Sequence, residues 1–365
     1  QGRRGENRGD TTPPQPAITD ERPYFIGTVA VLPPQVIAGP PESAAFADGL
    51  YEELLTQLSG MRPFDVVSLA PKMPSQDSTT SPRGIGRTLG ADFVVETSLQ
   101  VAGAQSRLTM QLIETTTDRH LAAEAFTRTL DAEESTLFFQ KELAWEMAIS
   151  IYRNLKRERP PSAASRERLA KVVGALTTEE KALQIRFWGD DGNPPDPTLY
   201  ERLMELTRQV IAVDPDNAQA HTDRGSFLGH APFVGHADFL DESWRQELLL
   251  TLKRAAFINP DSVDSQRNLG NFYLVTEGLP GRSLPYLQAA VRLADAAAPY
   301  GNNWPYYNLA SALHQTGQSG AALSVLARVP QEPAIDHLSY WTDPFVATRR
   351  FADALAFLER QAPRL

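Results

Sequence analysis

The chain of 365 residues contains six histidines and no cysteine, which already limits its chemistry. Without a thiol there is no disulfide, no Cys-ligated zinc or iron–sulfur site and no thiolate nucleophile. His221, His230 and His236 fall close to Asp238 and Asp241. Imidazoles and carboxylates can hold a divalent cation, but this spacing is irregular. The ordinary reading is solvated loop histidines, able to titrate near neutrality and make the loop pH-sensitive. Asp190-Asp-Gly-Asn-Pro-Pro-Asp196 offers several oxygens in a turn, yet lacks the twelve-residue calcium-loop pattern and its closing bidentate Glu. A polar loop between helices accounts for it. Gly84-Ile-Gly-Arg-Thr-Leu-Gly90 imitates a phosphate-binding loop, but no strand runs directly into it to aim backbone N–H groups at an anion. It reads as a short helix with a glycine stop. Glu52 and Glu53 are adjacent on a helix, so their side chains diverge by about 100° and form no ready acid/base pair. The Walker A, H-E-x-x-H and G-x-S-x-G patterns do not occur. On these grounds the reading is not an enzyme, with no catalytic residue, no metal ligand and no cofactor assigned.

The elements that would position any site fall into two halves. Residues 1–22 mix Gly, Pro and both charges and read as a linker or tail too polar to pack. Residues 23–157 read as a small α/β domain. Phe25–Leu32 is a β-rich run stopped by Pro33 and Pro34. A helix follows over about Ser43–Leu58, with Phe46, Leu50, Leu54 and Leu58 recurring every four residues. Strands are expected at 64–69, 92–101, 107–113 and 121–129, a short helix near 83–89, and a hairpin turn at 115–119. A closing helix over 134–155 puts Ala144, Ala148, Ile151 and Leu155 on one face. The order is β-α-β-α-β-β-β-α, a mixed sheet with helices packed on it. The charged, then proline-rich run 156–162 marks the boundary.

Residues 158–365 lose the strand signals and carry internal repeats. Val-Asp-Pro-Asp-Asn at 213–217 and Ile-Asn-Pro-Asp-Ser at 258–262 each end a helix and precede a similar stretch. Arg224-Gly225, Leu269-Gly270 and Leu309-Ala310 occupy equivalent positions, where small residues let two antiparallel helices approach closely. Asn303–Gly317 gives one helix and turn, and Ala321–Leu326 the next. The preceding unit fits after a one-residue insertion, with Tyr273, Gly278, Ser283, Leu287 and Ala290 in place. About eleven extra residues fall around 229–241, and a last pair covers 336–361. This pattern resembles divergent tetratricopeptide (TPR) repeats, four or five helix pairs in an all-α solenoid. The fold class expected is thus α+β followed by all-α.

The first half also resembles a family. Val29–Pro33, Phe46–Leu50 with Glu52-Glu53-Leu54, Leu89–Glu96, Gln111–Ile113, Thr117–Leu121 and Glu124–Phe126 form one ordered set. This is similar to the TolB-N-like (FlgO-like) domain, which in bacteria often precedes TPR-like repeats in membrane-anchored cyclases and CadC-type regulators. The chain departs from the family at Pro34-Gln-Val-Ile, where a Phe and a polar loop are usual, and at Thr97, where Gly is usual. The resemblance implies a periplasmic, membrane-tethered, non-catalytic sensing or docking region. Any membrane link would come through a segment outside this chain, because no run of about 18–20 apolar residues is present. The start at Gln1, without Met or signal peptide, reads as a processed or trimmed chain.

Composition agrees with a protein partner. Acidic residues outnumber basic ones by 45 to 35, so no broad basic face meets nucleic acid. On the first helices of the repeats, which in TPR units line the concave face, stand Arg267, Asn271, Trp304, Tyr307, Asn308, Ser311 and His314. Arg267, Asn271 and Asn308 match three members of the carboxylate clamp by which some TPR domains hold a peptide terminus. Arg replaces the usual Lys and still pairs with a carboxylate. The remaining basic pair is missing, with Ser339 and Tyr340 in that region. Aromatics are dense here, and core packing explains most of them. The expected function is a protein-docking module that acts through the TPR-like half or the groove between the halves, including as a subunit of a membrane complex. The alternatives are a small-molecule sensor, with ligand between the halves or on the aromatics, and an enzyme of unknown class.

Overall fold

Strand β1 (Gly27–Val31) alternates its side chains between two cores, with Val29 and Val31 in the larger and Ala30 in the smaller. A computed structural model describes residues 22–68, 81–103, 105–129, 136–187, 197–231, 242–297, 302–329 and 339–361. After β1 come β2 (Gln35–Ala38), α1 (Glu42–Ser59), β3 (Phe64–Ser68), α2 (Pro82–Leu89), β4 (Phe93–Ala102), β5 (Gln105–Glu114), β6 (Arg119–Thr129) and α3 (Thr136–Glu158). The sheet order is β3-β1-β4-β5-β6. β1 runs parallel to β3 and β4, with Val29 opposite both Val66 and Phe93, while β4, β5 and β6 are antiparallel. Helices α1 and α3 pack on each other, and their apolar faces share a core with alternate sheet residues such as Phe93, Leu99 and Met110. On the smaller core lies α2, through Ile85.

The expected elements of this half are present, and β2 is an addition. Pro33 and Pro34 have no N–H to donate, so β1 breaks there. The chain stays beside the sheet: the Leu32 N–H donates to Val95 O at 3.0 Å, and β2 then pairs with β4 around Ser98 and Leu99. The Gly84–Gly90 run is α2 and its stop. Ser81 Oγ accepts from Gly84 N at 3.1 Å, and Gly90 ends the helix at φ +65°.

The second half is helical: α4 (Ala163–Phe187), α5 (Pro197–Val213), α6 (Ala218–His230), α7 (Glu242–Ile258), α8 (Val263–Asn271), α9 (Pro280–Ala296), α10 (Trp304–Gln315), α11 (Ser319–Leu326), α12 (Ser339–Ala347) and α13 (Phe351–Gln361). Each packs on the next, and α6, α8, α10 and α12 also meet in series. The repeated Asn217 and Ser262 are helix caps, accepting from Ala220 N at 3.1 Å and Ser265 N at 3.2 Å. The one-residue insertion becomes a π-helical turn at Phe272–Thr276, closed by Glu277 N donating to Phe272 O. The extra residues from 232 to 241 lie outside the described residues, as do 1–21 and the acidic loop at 190–196.

Small residues do set the helix approaches. A Cβ on Gly225 would lie 2.7 Å from Leu252 Cδ2 of α7. One on Gly270 would lie 2.6 Å from Leu287 Cγ of α9 and 3.2 Å from its backbone nitrogen, while Ala310 is fully buried. Gly174 of α4, by contrast, has open space. Gly270→Ala is therefore expected to destabilise by about 1–3 kcal/mol through overpacking. Gly174→Ala is expected to stabilise by roughly 0.5–1 kcal/mol. Denaturant midpoints of the two variants check this; shifts of the same sign would contradict the packing account.

Candidate functional site

Of the six groove residues proposed from sequence, Asn271 meets Asn308, Trp304 meets Tyr307, and His314 stands at the far end of α10. Arg267 and Asn271 lie one turn apart on α8, and Asn308 on α10 reaches across: its Nδ2 donates to Asn271 Oδ1 at 3.2 Å. Asn308 is buried, so this bond joins the two helices. Thr222 with Ser265 (2.9 Å) and Asn268 with Ser226 (3.0 Å) join α6 to α8 in the same manner. Arg267 bonds Asp264 on its own helix at 3.4 Å, while its Nε is buried without a partner. A carboxylate held here would have to displace the Asn271–Asn308 bond.

Trp304 and His314 sit about 15 Å apart at opposite ends of α10. His314 Nδ1 is hydrogen-bonded to Ser319 Oγ at 2.9 Å, which ties the turn to α11. Trp304, 39% exposed, stands edge-on to a stacked pair, Tyr307 and Tyr340, whose centroids are 5.2 Å apart. Most other aromatics fill cores. Phe187 and Phe227 meet edge to face, and the Trp244 indole N–H donates to Leu228 O at 3.0 Å. Trp188, Phe233, Phe239 and the Trp341 side chain lie outside the described residues.

A second concentration of chemistry lies at the seam between the halves. Lys156 of α3 bonds Asp214 at 3.4 Å and Asp216 at 3.0 Å, the acids of the first repeated turn. Beside them the phenols of Tyr24 and Tyr152 are hydrogen-bonded at 2.6 Å, and Tyr152 also donates to Asp214 at 3.4 Å. Burial, then the neighbouring Tyr24, pushes Tyr152 far above the usual phenol range, so it stays a neutral donor. Farther along α3, the Trp145 ring meets His221 and Phe257 edge to face and lies under Arg254 of α7. A cavity of about 290 Å³ opens beside it, walled by the end of α1, α3, and helices α5 to α7.

The histidine reading is corrected here. His221 is buried rather than solvated, and its ring Nε2–H donates to Pro215 O at 3.0 Å. Burial drives its pKa down to about 4, far from neutrality. His230 Nδ1 bonds Ser226 O at 2.7 Å and is also held below its usual value by burial. His236 lies outside the described residues. Among the described residues no three His, Asp or Glu side chains cluster as metal ligands. Arg254 and Trp145 belong to no motif or spacing that marks them in the sequence as site residues.

No protein-family profile matches the chain. It is 35% identical over 238 residues to a protein of Rhizobium meliloti (strain 1021) named "Putative adenylate cyclase 3". That match covers 65% of this chain and 37% of the relative, so the chain spans well under two thirds of that protein. Among solved structures, TolB from Acinetobacter baumannii is similar at 15% identity and TM-score 0.27, over 37% of this chain and 30% of that one. The PelC dodecamer from Paraburkholderia phytofirmans is similar at 15% identity and TM-score 0.27, over 38% and 93%. The LpoB C-terminal domain from Salmonella enterica is similar at 21% identity and TM-score 0.22, over 29% and 84%. Likenesses of this size carry no argument about function. Among the described residues no helix is long and apolar enough to cross a membrane.

Burial of His221 gives folding a pH dependence. Its folded pKa, about 4, lies below the unfolded value of 6.5. Its contribution is therefore complete above pH 6.5 and is lost as pH falls toward 4, by on the order of 3 kcal/mol. Glu180, which burial and the adjacent Asp223 raise to about 8, acts with the opposite sign. The difference between wild type and His221→Gln isolates the histidine. Wild type is expected to lose stability relative to the variant between pH 6.5 and 4; a difference independent of pH would contradict the assignment.

Proposed function

We propose that the chain is a non-enzymatic docking module that holds a protein partner on its helical half. The observation that carries this reading is the exposed Trp304 on the Tyr307–Tyr340 stack. A rigid aromatic with a fixed base is the kind of anchor on which binding energy concentrates. Nearby helices add to the apolar surface: α10 meets α12, and Val346, Phe351, Leu355 and Leu358 are exposed on α12 and α13. The finer architecture belongs to the same proposal: an α/β domain over residues 23–157, and TPR-like helix pairs over 158–365. The capped repeat turns and the Gly225 and Gly270 contacts support it. The resemblance to TolB-N-like regions supports a periplasmic location in a bacterium, and a tether to the membrane within a longer signalling protein is part of the same proposal. The match to part of a protein named as a cyclase is in line with that placement. The partner would be another envelope protein, and catalysis would reside elsewhere.

Trp304→Ala tests the reading. The variant should keep the wild-type melting temperature, because the indole is partly solvated. In quantitative affinity purification from native membranes, wild type should retain a stoichiometric partner that the variant loses, corresponding to about 2 kcal/mol or more. Equal recovery by both proteins would remove Trp304 from the interface. Formation of cyclic nucleotide from ATP by the purified chain would overturn the non-enzymatic reading.

A further inference from the structure

The cavity at the seam has an unusual electrostatic composition. Three arginines reach it, Arg208 and Arg224 from α5 and α6 and Arg254 from α7, and no Asp or Glu lines it. The chain as a whole has an acidic excess of ten charges, so an acid-free wall with three guanidinium groups runs against its composition. Arg208 and Arg224 are already paired with Glu205 at 2.6 Å and Glu247 at 2.9 Å. Arg254 is different. Among the described residues it forms no ion pair, and its one side-chain hydrogen bond is from Nη2 to the neutral Gln57 Oε1 at 3.3 Å. Its Nε is buried without a partner. The carboxylates whose fields reach it are Glu53, Glu142 and Glu247. Those are engaged elsewhere, with Gln57, Lys253 and Arg224.

A largely buried guanidinium without a counter-charge is destabilising, and a native protein ordinarily pairs it. The Trp145 face, 5.4 Å away, compensates part of that cost. Met61, Ile211, Ala212 and Pro215 add apolar wall, and Gln57, His221 and Thr251 are its uncharged polar members. Its volume, about 290 Å³, is at the small end of ligand sites.

We propose that this seam cavity binds a small organic anion, with a carboxylate or phosphate paired to Arg254 and an apolar body against Trp145. A guanidinium fork matches either oxyanion in bidentate fashion. Because α1 and α3 supply one wall and α5 to α7 the other, an occupant would touch both halves of the chain. This inference does not rest on the docking reading, since no atom of the Trp304 surface takes part.

The test uses the full chain with four probes: phenylacetate, phenyl phosphate, inorganic phosphate and the neutral phenylacetamide. Melting temperature and Trp emission are followed at constant ionic strength. At least one aromatic anion should raise the melting temperature and change the emission saturably, and phenylacetamide should do neither. The winning anion distinguishes a carboxylate from a phosphate ligand, and inorganic phosphate shows whether the apolar body matters. Arg254→Met should bind the winning anion at least tenfold more weakly, yet melt at or above the wild-type temperature without ligand, because an unpaired buried charge is gone. Should that variant fail to fold, Gln57→Glu decides: it places a carboxylate beside Arg254 and should abolish anion binding while the protein remains folded. No response to any anion at 10 mM, equal binding of the neutral amide, or undiminished binding by either folded variant would overturn the proposal.

Discussion

The structure depends on a single constraint, that helix α3 has almost no solvent face. Fifteen of its 23 residues are buried, including Trp145, Ser150 and Asn154, which no one-sided amphipathic helix would bury together. One side packs on α1 and the sheet, and another meets α7. Apolar burial supplies most of the attraction, at roughly 25 cal/mol per Å² removed from water. Polar groups then fix the register. Burial raises the Asp214 pKa and the neighbouring Lys156 opposes that shift, while the Tyr24 and Tyr152 phenols are hydrogen-bonded to each other. Removing one partner of such a cluster strands the others, so it specifies one geometry more than it adds net stability.

With the two halves fixed through α3, the other features follow. The turn Asp214-Pro215-Asp216 is tied to α3 through Lys156, and beside its repeat counterpart the Ile258 carbonyl accepts from Arg153 of α3 at 3.4 Å. His221 lies under this turn, bonded to the Pro215 carbonyl, which explains its burial. A cavity remains between the end of α1, α3 and helices α5 to α7, and Arg254 is held beside it by Trp145 and Gln57. The aromatic platform at Trp304 lies at the other end of the helical row, on α10, and is built independently of the seam.

Much of the fold was legible in the sequence because it rests on local rules. The period-four apolar residues of α1, the β-rich runs of β4 to β6, and the repeated turns at 213–217 and 258–262 are all local signals. The one-residue insertion could be counted, although its form as a π-helical turn could not. Strand β2 was missed because its four residues follow two prolines and carry no buried face. The site was far less legible. Equivalent repeat positions located Asn271 and Asn308, but not that their amides bond each other. His221 looked solvated because nothing local shows that α3, about seventy residues earlier, covers it. Nothing local marks Arg254 as a buried cation either. Burial imposed by a distant element leaves no periodic trace near the residue it covers.

The most direct test of the shared-helix account is calorimetric unfolding of the full chain, read together with amide hydrogen exchange along α3. The account predicts one cooperative transition, with equal calorimetric and van't Hoff enthalpies, and α3 amides that exchange only by global unfolding. Two separate transitions, or exchange of α3 while the helical half stays protected, would show that the halves are independent bodies and that the seam is incidental.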